Sequence, residues 1–102
     1  MTVLSIYINN MSNNMTPEEI KKMIEEHLSD ASAQIDVRSE DNVHFEATVM
    51  SAQFSGKTRV QQQQTVYAAL RDAMTSGRVH ALSLKTHTPD EWQTLLVNKT
   101  NG

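Results

Sequence analysis

The chain is 102 residues long, enough for one small domain and too short for two separate cores. Its hydrophobic content of 38% stands above the disordered range, and a net charge of −3 excludes a uniformly basic nucleic-acid binder. With no cysteine, the chain cannot form a disulfide, offer a thiolate nucleophile, build a zinc ribbon or hold an iron–sulfur cluster on its own thiolates.

Charge is unevenly spread. Residues 1–50 carry three basic and nine acidic side chains, whereas residues 51–102 carry six and three. The longest apolar stretch, Val3 to Ile8, is far too short to span a bilayer and lacks the flanks of a secretory signal. A cytoplasmic location is the default expectation.

Residues 1–15 read as an N-terminal extension, either upstream of a start at Met11 or Met15 or supplying an edge strand over residues 3–8. Thr16-Pro17-Glu18-Glu19 then sets a hydroxyl at the N-cap, proline at the first helical position and a carboxylate at N3. Ile20, Met23, Ile24 and Leu28 follow at helical spacing, predicting a first helix to about Ser29. Ile35 and Val37 predict a short strand, Ser39-Glu40-Asp41-Asn42 a turn, and Phe45, Ala47 and Val49 one face of a second, antiparallel strand.

A glycine turn at Phe54-Ser55-Gly56-Lys57-Thr58 precedes a long helix predicted from about Arg59 to Ser76. Its apolar spine is Val60, Gln63, Tyr67, Leu70 and Met74, with Gly77 as the C-cap. Val79 to Leu84 reads as the last strand, with His80 on the same side as Leu82 and Leu84. Thr88-Pro89-Asp90-Glu91 repeats the capping pattern ahead of a short helix bearing Trp92, Leu95 and Leu96, and residues 97–102 read as a polar tail. The order α-β-β-α-β-α, with a strand–helix–strand crossover, predicts an α+β two-layer sandwich. Its small mixed sheet has the third strand parallel to its neighbour.

Chemistry-bearing residues are few. No nucleophile elbow, paired acid–base carboxylates or phosphate-cradling loop occurs, which argues against an enzyme. The four histidines are the good nitrogen donors. His27 falls beside Ile24 and Leu28 and is expected half-buried; His87 is expected in a solvated loop. His44 precedes the second strand, where it reads as a strand-end residue or a ligand, and His80 alternates with Leu82 and Leu84 in an apolar strand, where it reads as a structural core or interface histidine or a ligand. Lys57, Arg59, Arg71, Arg78 and Lys85 make residues 57–85 basic, a stripe that could follow a phosphate backbone.

Four segments together resemble the BolA family, in particular its short, cysteine-free, IbaG-like bacterial branch. They are Phe54-Ser55-Gly56-Lys57, Gln63-Gln64-Thr65-Val66-Tyr67, Val79-His80-Ala81-Leu82-Ser83-Leu84-Lys85-Thr86 and Thr88-Pro89-Asp90-Glu91-Trp92. The resemblance covers about residues 16–94, bounds the domain at residues 16–96, and implies a class II KH-like fold. It further implies a [2Fe–2S] cluster shared with a monothiol glutaredoxin and glutathione, in iron–sulfur trafficking and iron regulation, with no cluster expected on the isolated chain.

On that resemblance His80 matches the family's C-terminal histidine ligand, and His44 is the candidate for the second, which other members carry in a longer loop. A ligating imidazole must be neutral, so assembly should weaken as pH falls toward about 6. The alternative the family implies is a stress-response regulator that binds nucleic acid, here through Lys57, Arg59 and Arg78. Against it, Gln62 and Gln63 stand where the main BolA branch has an Arg-His pair, and the turn at Gly56 has a single glycine. A monomer or weak homodimer is expected, with no membrane partner.

Overall fold

The structure is a computed structural model, and it describes residues 15–101, with side chains to residue 98. The expected strand over residues 3–8 lies outside the described residues. Met15, assigned from sequence to the extension, is instead buried in the core.

Helix α1 (Pro17–Leu28) begins as its sequence dictates: the Thr16 hydroxyl accepts from the Glu19 backbone N–H, and the Glu19 carboxylate accepts from the Thr16 N–H. Ile20, Ile24 and Leu28 form its buried stripe, and Ser29 closes it in the left-handed region. Each such side chain removed from water contributes roughly 1.5–3 kcal/mol. His27 stands just off this stripe and is exposed, not half-buried, because the stripe keeps to the i, i+4, i+8 row.

Strand β1 (Gln34–Arg38) pairs antiparallel with β2 (His44–Met50), and β2 pairs in parallel with β3 (Ala81–His87), giving the order β1-β2-β3. Phe45, Ala47 and Val49 of β2 lie level with Leu82, Leu84 and Thr86 of β3. This face meets α1 and the helical residues 59–75 in a core holding Ile24, Phe45, Phe54, Val66 and Leu70.

The long second helix is in fact two: α2 (Arg59–Ala69) and α3 (Arg71–Thr75). They part at Leu70, whose N–H reaches back only three residues to the Tyr67 carbonyl. The buried row is Gln62, Val66, Leu70 and Ala73, one residue out of step with the expected spine at its start. Gln63 and Tyr67 are therefore half-buried and Val60 is 62% exposed. The polar Gln62 is buried because every polar atom it carries finds a partner: its amide N–H groups donate to the Phe54 and Lys57 carbonyls, and its oxygen accepts from Thr86 and Arg59.

Thr58 and Gln61 form a second reciprocal capping box at the start of α2. A Schellman turn ends α3: the Gly77 N–H donates to the Met74 carbonyl and the Arg78 N–H to the Ala73 carbonyl, with Gly77 at φ +81°. The Val79 N–H also donates to the Ala73 carbonyl, and β3 starts at Ala81, two residues later than expected, and runs on through His87. Helix α4 (Pro89–Asn101) follows Thr88 and is longer than the sequence suggested, continuing over residues expected to be a polar tail. No helix among the described residues is long and apolar enough to cross a membrane.

Candidate functional site

The loop between β1 and β2 is organised by short polar side chains. Asn42 takes φ 57°, a left-handed conformation that asparagine tolerates well. The Ser39 hydroxyl accepts from the Asn42 N–H and donates to the His44 carbonyl. One oxygen of Asp41 accepts from the backbone N–H groups of Val43 and His44, each at 3.0 Å. Its other oxygen lies 2.9 Å from Nδ1 of His44.

The His44 ring and then these backbone donors hold the Asp41 carboxyl well below the usual carboxylate range. An ionised carboxylate only accepts, so the neutral ring carries its proton on Nδ1 and its lone pair on Nε2. His44 is the first residue of β2 and its side chain is 73% exposed.

His44 lies level with Ala81 across the parallel ladder, and His80 is the residue just before Ala81. Both histidines thus sit at one end of the sheet. His80 is exposed, which corrects the expectation of a ring inside an apolar strand: Gly77 and the turn after α3 hold it outside β3. No nitrogen of its ring has a hydrogen-bond partner among the described residues. An open groove of about 780 Å³ adjoins His44, with Arg38, Asp41, Glu46, Ala81 and Ser83 among its walls.

No group of three or more metal-binding side chains occurs among the described residues. The donor set is two exposed imidazoles and no thiol, which suits half of a cluster whose remaining ligands are thiolates from elsewhere. Mixed imidazole–thiolate [2Fe–2S] centres use such a division.

The remaining expected residues lie apart. His87, expected in a solvated loop, ends β3 half-buried, with its ring centroid 6.0 Å from that of Trp92, and burial lowers its pKa. Of the basic side chains, Lys57 is exposed. The Arg59 guanidinium is engaged by Glu91 at 2.7 Å, by the Thr86 carbonyl and by Gln62. Arg78 is half-buried, its Nε donating to the Ser76 hydroxyl. Asp41 was legible only as a turn residue; its signal was a carboxylate three positions ahead of a histidine opening a strand.

Residues 11–91 match the family model described as BolA-like protein. The chain belongs to the BolA family. Among relatives of this BolA-like chain, the acid stress protein IbaG of Escherichia coli is 37% identical over 78 residues, covering 76% of this chain and 89% of IbaG. An uncharacterised protein of Haemophilus influenzae is 38% identical, covering 74% and 88%. Among solved structures, a BolA protein homologue from Coxiella burnetii superposes with a TM-score of 0.64 at 36% identity, covering 78% of this chain and 97% of that one. The α+β arrangement with its mixed three-stranded sheet is therefore the BolA fold.

Proposed function

We propose that this BolA-like protein is a non-enzymatic, cytoplasmic adaptor in iron–sulfur trafficking that shares a [2Fe–2S] cluster with a monothiol glutaredoxin. His80 and His44 supply nitrogen ligands, and glutaredoxin with glutathione supplies the thiolates. The observation that carries this reading is the register of His44 with Ala81, which brings two exposed imidazoles to one end of the sheet in a chain lacking cysteine. The name of its relative, an acid stress protein, accords with ligands that must be neutral to bind metal, so that the shared complex weakens as the medium acidifies.

The test is to mix the protein with cluster-loaded monothiol glutaredoxin and glutathione and record visible circular dichroism. A new spectrum is expected, lost in His80→Ala and altered in His44→Ala. A wild-type spectrum from both variants refutes the ligand assignment. The nucleic-acid reading is less well supported, because Arg59 is committed to Glu91, Thr86 and Gln62.

A further inference from the structure

We propose that Asp41 is a positioning residue for His44: it fixes the ring with Nδ1 protonated and turns the Nε2 lone pair outward as the donor atom. The inference rests on the reading of His44 as a cluster ligand and goes further, by naming the nitrogen that binds and the residue that selects it.

The geometry is specific. One Asp41 oxygen closes the loop by accepting from the Val43 and His44 backbone, leaving the second free to take the ring N–H at 2.9 Å. Backbone and side chain of the same histidine are thus gripped by one carboxylate, so ring orientation follows loop geometry. The remaining nitrogen has no partner among the described residues, and the side chain is largely open to solvent. A carboxylate behind a ligating imidazole both fixes its tautomer and strengthens it as a donor.

Asp41→Asn separates positioning from loop structure. The asparagine oxygen can keep the Val43 and His44 backbone bonds, while its NH₂ group faces Nδ1 and donates to it. That reverses the tautomer, placing the proton on Nε2 and blocking the outward lone pair. Nitrogen-15 NMR of the full free chain reads this directly. The wild type should show a protonated Nδ1 on His44 at neutral pH, and Asp41→Asn should exchange the two ring-nitrogen signals with little change in the backbone amides of residues 39–44. In the mixed complex, Asp41→Asn should weaken the assembly about 10–100-fold, the usual loss when the group hydrogen-bonded behind a ligating imidazole is removed.

A wild-type His44 protonated on Nε2, or a tautomer unchanged by Asp41→Asn, overturns the positioning role whatever the complex does. An exchanged tautomer alongside a wild-type complex spectrum from His44→Ala overturns the donor role of Nε2. That result removes His44 from the ligand set while leaving His80 to be judged by its own variant.

Discussion

The hydroxyl of Thr86 donates to the amide oxygen of Gln62 at 2.8 Å, with both residues almost fully buried, at 1% and 3% exposure. This bond joins α2 to β3 under the sheet. Gln62 also caps two backbone carbonyls of the turn that launches α2, so a single amide ties a turn, a helix and a strand together. Gln62→Leu should therefore destabilise the fold by about 3 kcal/mol, since it strands the buried Thr86 hydroxyl and the Lys57 carbonyl, while the Phe54 carbonyl keeps only the Lys57 N–H. Adding Thr86→Val should recover part of the loss by removing one stranded partner. Urea unfolding of the single and double variants measures both, and a cost for Gln62→Leu below about 1 kcal/mol contradicts this account.

Gly77 isolates a backbone effect. At φ +81° it sits where an L side chain is strained, yet an added Cβ would meet only His80 Cε1, at an ordinary 3.9 Å. Gly77→Ala should cost about 1–2 kcal/mol from the left-handed backbone alone. The β2–β3 pairing should survive, as judged by amide chemical shifts of residues 82–87. Wild-type stability in this variant would mean that the Schellman turn is not required to close α3.

Acid should unfold the protein in two stages. Burial lowers the pKa of His87 from 6.5, although Glu91 opposes that shift and Arg59 and Lys85 reinforce it. The unfolded chain therefore takes up that proton first. The contribution of His87 is complete above the unfolded value and is lost as pH falls through the folded one.

Glu91, bonded chiefly by Arg59, and Asp30, bonded chiefly by the hydroxyls of Ser32 and Ser51, are both held down to about 2. Their stabilisation is complete above the unfolded values of 4.5 and 3.8 and disappears as pH falls toward 2. Melting temperature should thus step down gently from neutral pH and then more steeply. His87→Gln should flatten the first stage and Glu91→Gln the second. A His87→Gln curve parallel to wild type through the upper stage counts against the burial argument.

Arg59 gives a prediction that bears on nucleic-acid binding. Because its guanidinium joins Glu91 to the Thr86 carbonyl and Gln62, Arg59→Glu should lower thermal stability and loosen α4 from β3. Lys57→Glu, at an exposed side chain, should leave stability within about 0.5 kcal/mol of wild type. Duplex DNA affinity that falls steeply with salt in the wild type, and is lost in Lys57→Glu alone, would favour the phosphate-binding reading instead.

The sequence disclosed those parts of the fold that local chemistry governs. The Thr16 and Thr88 caps, the β1–β2 hairpin and the parallel third strand are each written in neighbouring residues or in element order. What escaped it was decided by tertiary partners. Hydrophobic spacing favours Val60 and Tyr67 as core residues, but Gln62 takes the buried position instead, where its amide donates to the Phe54 and Lys57 carbonyls and its oxygen accepts from Thr86. After α3 the chain stays tied to the helix end as far as the Val79 N–H, which donates to the Ala73 carbonyl, and β3 begins only at Ala81, leaving His80 outside the strand and His87 within it. At the candidate site His80 and His44 could be picked out by residue type and family likeness. The grip of Asp41 on His44 needed the loop conformation, because spacing along the chain does not say where a carboxylate points.

The parallel pairing of β2 with β3 also sets an order of events during folding. A hairpin of β1 and β2 closes over a few residues, but His44 and His80 come to the same end of the sheet only after the intervening helices have formed and β3 has docked, a long-range closure that comes late. A nascent or partly opened chain would expose one imidazole without the other. On the proposed reading it would compete poorly for iron, so the capacity to receive cargo would itself certify a finished molecule.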